Sequence, residues 1–174
     1  MTMWFIEIDS PIGPMRLAAD GVALRRIDFL SGLAERRAPA DWIRAEAPLK
    51  TVTEQLSSYF AGTLRDFEVQ LAPQGTEFQQ RVWRFLREIP YGRTISYSEL
   101  ATRVGNPKAS RAVGLANGQN PIPILIPCHR VIGKDGALVG YGGGLAIKEK
   151  LLALESGQGA FAQVDLMRQP CPTA

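Results

Sequence analysis

Cys128, His129 and Arg130 follow one another without a gap at the end of the apolar run Ile122-Pro123-Ile124-Leu125-Ile126-Pro127. A thiol beside an imidazole is a pairing that nucleophilic catalysis uses. A cysteine of ordinary pKa, about 8.5, is only a few per cent thiolate at neutral pH, and a nearby base can draw off its proton. His129 is the only histidine in the 174-residue sequence. The run before the pair reads as a buried strand or a tightly packed extended segment, and Pro127 stiffens the backbone that reaches the thiol. Adjacent side chains of an extended segment point to opposite faces, so Cys128 and His129 would communicate through a water or a sharp local turn. Cysteines and lone histidines are also common as inert packing, so the pair alone leaves both roles open.

Two kinds of scaffold flank the pair. Toward the N-terminus, Trp4–Asp9 reads as a strand and Ser10-Pro11-Ile12-Gly13-Pro14 as the turn that ends it. Met15–Ala19 reads as a second strand, with Asp20-Gly21 as a hairpin turn into Val22–Phe29. Gly32–Pro48 lacks periodicity and reads as loop. Val52, Leu56, Tyr59 and Phe60 recur at helical spacing, with Gly62 as the stop, and Phe67–Leu71 alternates like another strand.

Ala72-Pro73-Gln74-Gly75 reads as a linker, after which the pattern changes. Phe78, Val82, Phe85 and Ile89 mark an amphipathic helix ending near Pro90, with Arg81, Arg84 and Arg87 turned to solvent or to DNA phosphates. Ser96 and Glu99 have the spacing of a capping box for a helix that closes at Gly105. Asn106-Pro107 is expected to open the next helix, so the two form a helix-turn-helix. The second helix exposes Ala109, Ser110, Ala112 and Gly114, which offer few base-reading groups. Small residues there permit close approach to a minor groove, where sequence is poorly discriminated; close helix packing is the other reading. Leu145–Ser156 reads as a last helix with Ile147, Leu151 and Leu154 inward, and residues 157–174 as a flexible tail.

Composition narrows the class. Hydrophobic residues make up 45% and charged residues 21%, near the averages of soluble globular proteins. No apolar run has the length of a membrane span and no signal-like segment opens the chain, so no membrane partner is expected. Two cysteines form no disulfide framework, and a cytoplasmic location is expected. The net charge of +3 hides an asymmetry: residues 1–75 carry 8 basic and 10 acidic side chains, residues 76–156 carry 11 and 6. A basic C-terminal half suggests that this half meets a polyanion, a solvated basic face being the plainer alternative.

Pro127-Cys128-His129-Arg130-Val131 resembles the active-site signature of the O6-alkylguanine-DNA alkyltransferases, the methylated-DNA–protein-cysteine methyltransferases. Further matches keep the family's order and spacing: Arg111–Asn117 and Asn120-Pro121 upstream, then Gly140–Leu145, Lys148 and Glu155 downstream. The resemblance spans about Thr76 to Glu155, and the N-terminal third fits more loosely.

The expected architecture is α+β. A small N-terminal antiparallel-sheet domain with its linker takes residues 1–75, and a mostly helical, winged-helix-like domain for DNA binding and catalysis takes 76–156. The resemblance implies a protein that flips O6-alkylguanine, and less efficiently O4-alkylthymine, out of duplex DNA. It then transfers the alkyl group once, irreversibly, to its own Cys128. Glu155 would act on His129, and His129 through a water on Cys128. Arg111 would fill the vacated stack, Tyr97 would favour rotation of the target near its 3′ phosphate, and Asn120 would tie the recognition helix to the active-site loop. Tyr141, Gly142, Val131 and Pro123 would form the base pocket, with Tyr141 or the Gly142 N–H donating to the leaving oxygen. The implied partner is double-stranded DNA carrying the lesion, bound through its minor groove by a monomer, with cooperativity left open. No cofactor is implied. One histidine and two cysteines cannot supply the structural zinc of some relatives beside the nucleophile, so no metal site is expected. Gly142 stands where some relatives carry serine, leaving only a backbone donor.

Competing classes are a non-catalytic helix-turn-helix regulator, which has no need of Cys128 and His129, and a lesion-binding relative without transferase activity, which lacks the cysteine. A cysteine hydrolase fits less well, because no separate oxyanion-hole motif is evident.

Overall fold

The computed structural model describes residues 1–30 and 37–158, which fall into two compact units, Met1–Pro73 and residues 74–158. The expected tail beyond Gln158 lies outside the described residues.

The first unit is a four-stranded sheet, β1 (Trp4–Ile8), β2 (Met15–Ala19), β3 (Leu24–Phe29) and β4 (Ile43–Arg44), ordered β3-β2-β1-β4. The turns form where the sequence placed them. Asp20 Oδ1 accepts from the backbone of Val22 and Ala23 at 3.0 and 2.9 Å, and Gly21 takes the left-handed φ of 84° that the turn needs. Helix α1 (Lys50–Phe60) buries Val52, Leu56, Tyr59 and Phe60 and ends at Gly62, φ 76°.

Two expectations fail here. Phe67–Leu71 is not a strand: it makes only an isolated bridge, Leu71 to Leu24. The Gln55 side chain accepts from Glu68 N at 2.8 Å and donates to Glu68 O at 3.3 Å, so this residue pairs with a helix side chain and not with a ladder. The fourth strand instead lies in the segment read as loop, where Ile43–Arg44 pairs with β1 and runs parallel to it. Arg44 and the buried Arg16 both pair with Glu7, at 2.9 and 2.6 Å, which fastens this short edge to the sheet.

The second unit comprises α2 (Glu77–Arg87), β5 (Ile95–Ser96), α3 (Tyr97–Val104), α4 (Ser110–Gly118), β6 (Val131–Ile132) and α5 (Leu145–Glu155). A reciprocal capping box at Thr76 and Gln79, visible in the sequence as Thr-x-x-Gln, opens α2. The buried face of α2 is Val82, Trp83 and Leu86, rotated from the expected Phe78 and Phe85, and Trp83 Nε1 donates to Ala116 O of α4 at 2.8 Å. At α3 only half of the expected box forms. Ser96 accepts from Glu99 N, while the Glu99 carboxylate takes Arg103 at 2.9 Å.

Helix α4 begins three residues after Pro107. Asn106 Oδ1 accepts from Lys108 N and Asn106 O accepts from Ala109 N, closing a turn where a helix cap was expected. Helices α3 and α4 pack on each other and on α2. The pairing of Ile95 with Val131 and of Ser96 with Ile132 brings the strand after the Cys-His-Arg segment to the start of α3. Helix α5 turns Lys148, Leu151, Leu154 and Glu155 inward, with Ile147 only half-buried.

Candidate active site

The thiol is held by a tight loop, not by a strand. Asn120 Oδ1 accepts from Ile122 N at 3.0 Å and its Nδ2 donates to Ile126 O at 2.7 Å. Ile126 N donates to Ile122 O, and Cys128 N to Ile126 O. To close this loop Ile124 adopts φ 76°, a left-handed conformation that strains a β-branched residue by about 1–3 kcal/mol. Burial of Ile122, Ile124 and Ile126 offsets that strain. Cys128–Arg130 then form a single 3-10 turn, the sharp local turn that brings neighbouring side chains into one buried cluster.

Glu155, at the C-terminal end of α5, organises that cluster. His129 Nε2 lies 2.7 Å from Glu155 Oε1. Arg130 donates to both carboxylate oxygens, at 2.9 and 3.0 Å, and to Ile89 O at 2.6 Å, while Gly92 N reaches Glu155 Oε2 at 3.3 Å. Burial alone would raise the Glu155 pKa, but the hydrogen bonds from His129 and Arg130 and the charge of the guanidinium outweigh it and hold the group ionised. Burial pulls the His129 pKa below 6.5 against the pull of Glu155, so the imidazole is neutral at physiological pH. With Nε2–H donated to Glu155, Nδ1 presents a lone pair. Nδ1 is buried and has no protein partner among the described residues. That geometry suits a base acting through a water.

Cys128 itself is a thiol at rest. Burial pushes its pKa up to about 11, against opposing effects of the Asn120 side chain, the charge of Lys148 and the hydroxyl of Tyr141. Its carbonyl accepts from Asn117 Nδ2 at 3.3 Å. At neutral pH the protonated thiol is therefore the dominant form.

A cavity of about 580 Å³ opens beside this cluster, with Tyr97, Arg111 and Gly114 on one wall and Val139–Gly142 on the other. Its size is that of small-molecule and cofactor sites. Tyr141 and Asn117 belong both to this lining and to the surroundings of Cys128. Tyr97 Oη donates to Val139 O at 2.8 Å. Arg111 and Ala112 are exposed on α4, while Ala109, Ser110 and Gly114 are half-buried. Pro123 and Val131 are buried and do not line the cavity. The sequence reading gave no role to Asn117, which holds the Cys128 carbonyl. Nor did it see that Lys148 is wholly buried, although its spacing from Leu151 and Glu155 places it on the inward stripe of α5. Among the described residues, no group of three or more His, Cys, Asp or Glu could hold a metal ion, and no helix is long and apolar enough to cross a membrane.

These groups fix a pH profile for stability. Glu155 contributes above its ordinary 4.5 and its contribution is lost as pH falls below that. His129 binds its proton more weakly in the fold than its ordinary 6.5, so stability also falls as pH drops through 6.5. Cys128 binds its proton more tightly, so its contribution is present below 9.0 and lost as pH rises from there toward about 11. Thermal denaturation followed against pH should therefore give a maximum between about 6.5 and 9.0, and Cys128→Ser should flatten the alkaline limb. An alkaline limb identical in the serine variant would contradict the assignment.

Both units match known families. Residues 77–157 match the 6-O-methylguanine DNA methyltransferase DNA binding domain, and residues 3–73 the ribonuclease-like domain of the same methyltransferase. The chain is 53% identical over 153 residues to a methylated-DNA–protein-cysteine methyltransferase of Methanosarcina acetivorans, covering 88% of this chain and 98% of that one. It is 50% identical over 151 residues to one from Mycobacterium tuberculosis, covering 87% and 91%. A crystal structure of the Mycobacterium tuberculosis protein in complex with DNA superposes with a TM-score of 0.82 at 47% identity, over 91% of this chain and 94% of that one.

Proposed function

The chain belongs to the 6-O-methylguanine DNA methyltransferase family, and from that premise we propose that it repairs alkylated DNA by taking the alkyl group onto Cys128. The observation that carries the reading is the sequence of contacts Glu155–His129 and Tyr141–Cys128 beside a cavity whose other wall is α4. Helices α3 and α4 serve as a helix-turn-helix that lays the small residues of α4 against the minor groove, where sequence is read weakly.

An alkyl group on guanine O6 is inaccessible inside the stack, so the nucleotide is rotated out into the cavity. Arg111, at the cavity rim, fills the space it leaves, and Tyr97 favours the rotation. His129 Nδ1 takes the thiol proton through a water, and Glu155 stabilises the imidazolium. Sγ attacks the alkyl carbon, a C–S bond forms and the C–O6 bond breaks, leaving its electron pair on the guanine. Tyr141 Oη or the Gly142 N–H donates to that oxygen, and the proton released from the thiol finally returns to the base. The thioether has no hydrolytic exit here, so each molecule acts once. O4-alkylthymine is a poorer substrate of the same step.

Incubation with a duplex containing O6-methylguanine tests this directly. The intact protein should gain the mass of one methyl group per molecule and stop, with the added mass on the Cys128 peptide and none on Cys171, which lies outside the described residues. Repeated turnover, or binding without any mass gain, would favour a hydrolase or a regulator instead.

A further inference from the structure

Among the described residues of the second unit, two buried side chains are basic, and only one of them has a carboxylate. Arg130 is neutralised by Glu155. Lys148 is 0% exposed and forms no ion pair among the described residues. Its three ammonium protons go to backbone carbonyls: Val131 O at 2.6 Å, Val139 O at 3.1 Å and Gly140 O at 3.4 Å. Carbonyl dipoles solvate an ammonium but do not cancel its charge, and an unbalanced buried charge is costly.

The ionisable groups around it come from several elements. Tyr97 of α3 places its ring centroid 5.9 Å from Nζ. Cys128, His129 and Arg130 stand in the 3-10 turn, Tyr141 in the cavity wall, and Glu155 about two turns further along the same face of α5; Glu149 and Lys150 of α5 are exposed. With both tyrosines and His129 neutral, Arg130 and Glu155 cancel. The cluster then carries one excess positive charge while Cys128 is a thiol and none when it is a thiolate.

We propose that Lys148 is the counter-charge of the Cys128 thiolate and, through its three carbonyl bonds, the clasp that joins the Val139–Gly140 wall to the segment following the nucleophile. It is a positioning residue, since no substrate atom needs to touch it. The inference rests on the transferase reading and adds to it a second activating group, independent of His129. His129 receives the proton, while Lys148 favours the anion left behind. Carbonyl coordination also leaves the ammonium without a carboxylate that would otherwise screen it from the sulfur.

Two rates separate charge from architecture, each measured on the full chain. One is benzyl transfer from the free base O6-benzylguanine. The other is alkylation of Cys128 by iodoacetamide, read by mass on its peptide, which needs a thiolate but no substrate pocket. Lys148→Met removes the charge and its desolvation cost at similar volume, together with the three carbonyl bonds, and its thermal unfolding establishes that it folds. It should slow both rates about tenfold or more at neutral pH, one pKa unit of thiolate, with the deficit closing as pH rises. A merely loosened wall would expose the sulfur and speed iodoacetamide, the opposite sign. Lys148→Arg keeps the charge and should leave the iodoacetamide rate close to that of the unsubstituted protein, which keeps the test decisive should the methionine variant not fold. An unchanged or faster iodoacetamide reaction in Lys148→Met, or a tenfold loss in Lys148→Arg, overturns the proposal. If the unsubstituted protein fails to accept an alkyl group from any guanine while the iodoacetamide effect persists, the transferase reading falls and the counter-charge stands.

Discussion

Cys128→Ser should end alkyl transfer while leaving lesion-containing DNA bound. A hydroxyl is a far weaker acid and nucleophile than a thiol. His129, neutral and already committed through Nε2 to Glu155, is poised to deprotonate a group of thiol acidity. The loss should exceed about three orders of magnitude, the scale seen when a nucleophile is removed from a site whose other parts remain. Affinity should survive because the groups proposed to meet DNA, Arg111 and the exposed face of α4, do not depend on the sulfur. Stopped reactions resolved by mass and a binding titration on the same duplex measure both quantities. Residual methyl transfer by the serine variant would remove Cys128 from the acceptor role, and a parallel collapse of binding would mean that the substitution disturbed the fold.

Arg111→Ala should separate duplex from free base. The guanidinium stands exposed at the rim of the cavity, where it can replace a base rotated out of the stack. Unstacking costs a few kcal/mol, and a tenfold change in rate corresponds to about 1.4 kcal/mol. Duplex repair should therefore fall on the order of a hundredfold, whereas transfer from free O6-benzylguanine should hardly change. Equal losses on both substrates would assign Arg111 to the pocket or the fold, and not to flipping.

How far the sequence could be read depended on the range of the interactions involved. Asp20-Gly21, Gly62 and Gly105 announced a turn and two helix ends correctly, because each acts within a few residues through a left-handed backbone. Strand β4 was invisible: two residues carry no period, and what holds them is a parallel partner and Glu7, 37 positions from Arg44. Phe67–Leu71 alternates as a strand should, yet Gln55 takes both backbone groups of Glu68, and no local pattern reports that. The start of α4 was misplaced because Asn106-Pro107 suits both a helix cap and a turn. At the site, Cys128 and His129 were conspicuous as neighbours. Glu155 lies 26 residues from His129, and only the family resemblance tied it to the histidine. Resistance of the thiol to ionisation comes from its burial, opposed by Asn120, by Lys148 of α5 and by Tyr141 of the cavity wall, and that balance is a property of the assembled unit.

The bond from Trp83 Nε1 to Ala116 O also makes the molecule its own optical reporter. Trp83 is the single tryptophan of the second unit, since Trp4 and Trp42 belong to the first. Indole emission responds to the loss of a hydrogen bond and to the entry of solvent. Any displacement of α4 from α2 is therefore written into the fluorescence of one identified ring. Trp4→Phe and Trp42→Phe would clear the background without touching the cavity, giving a label-free view of the helix that would meet the DNA.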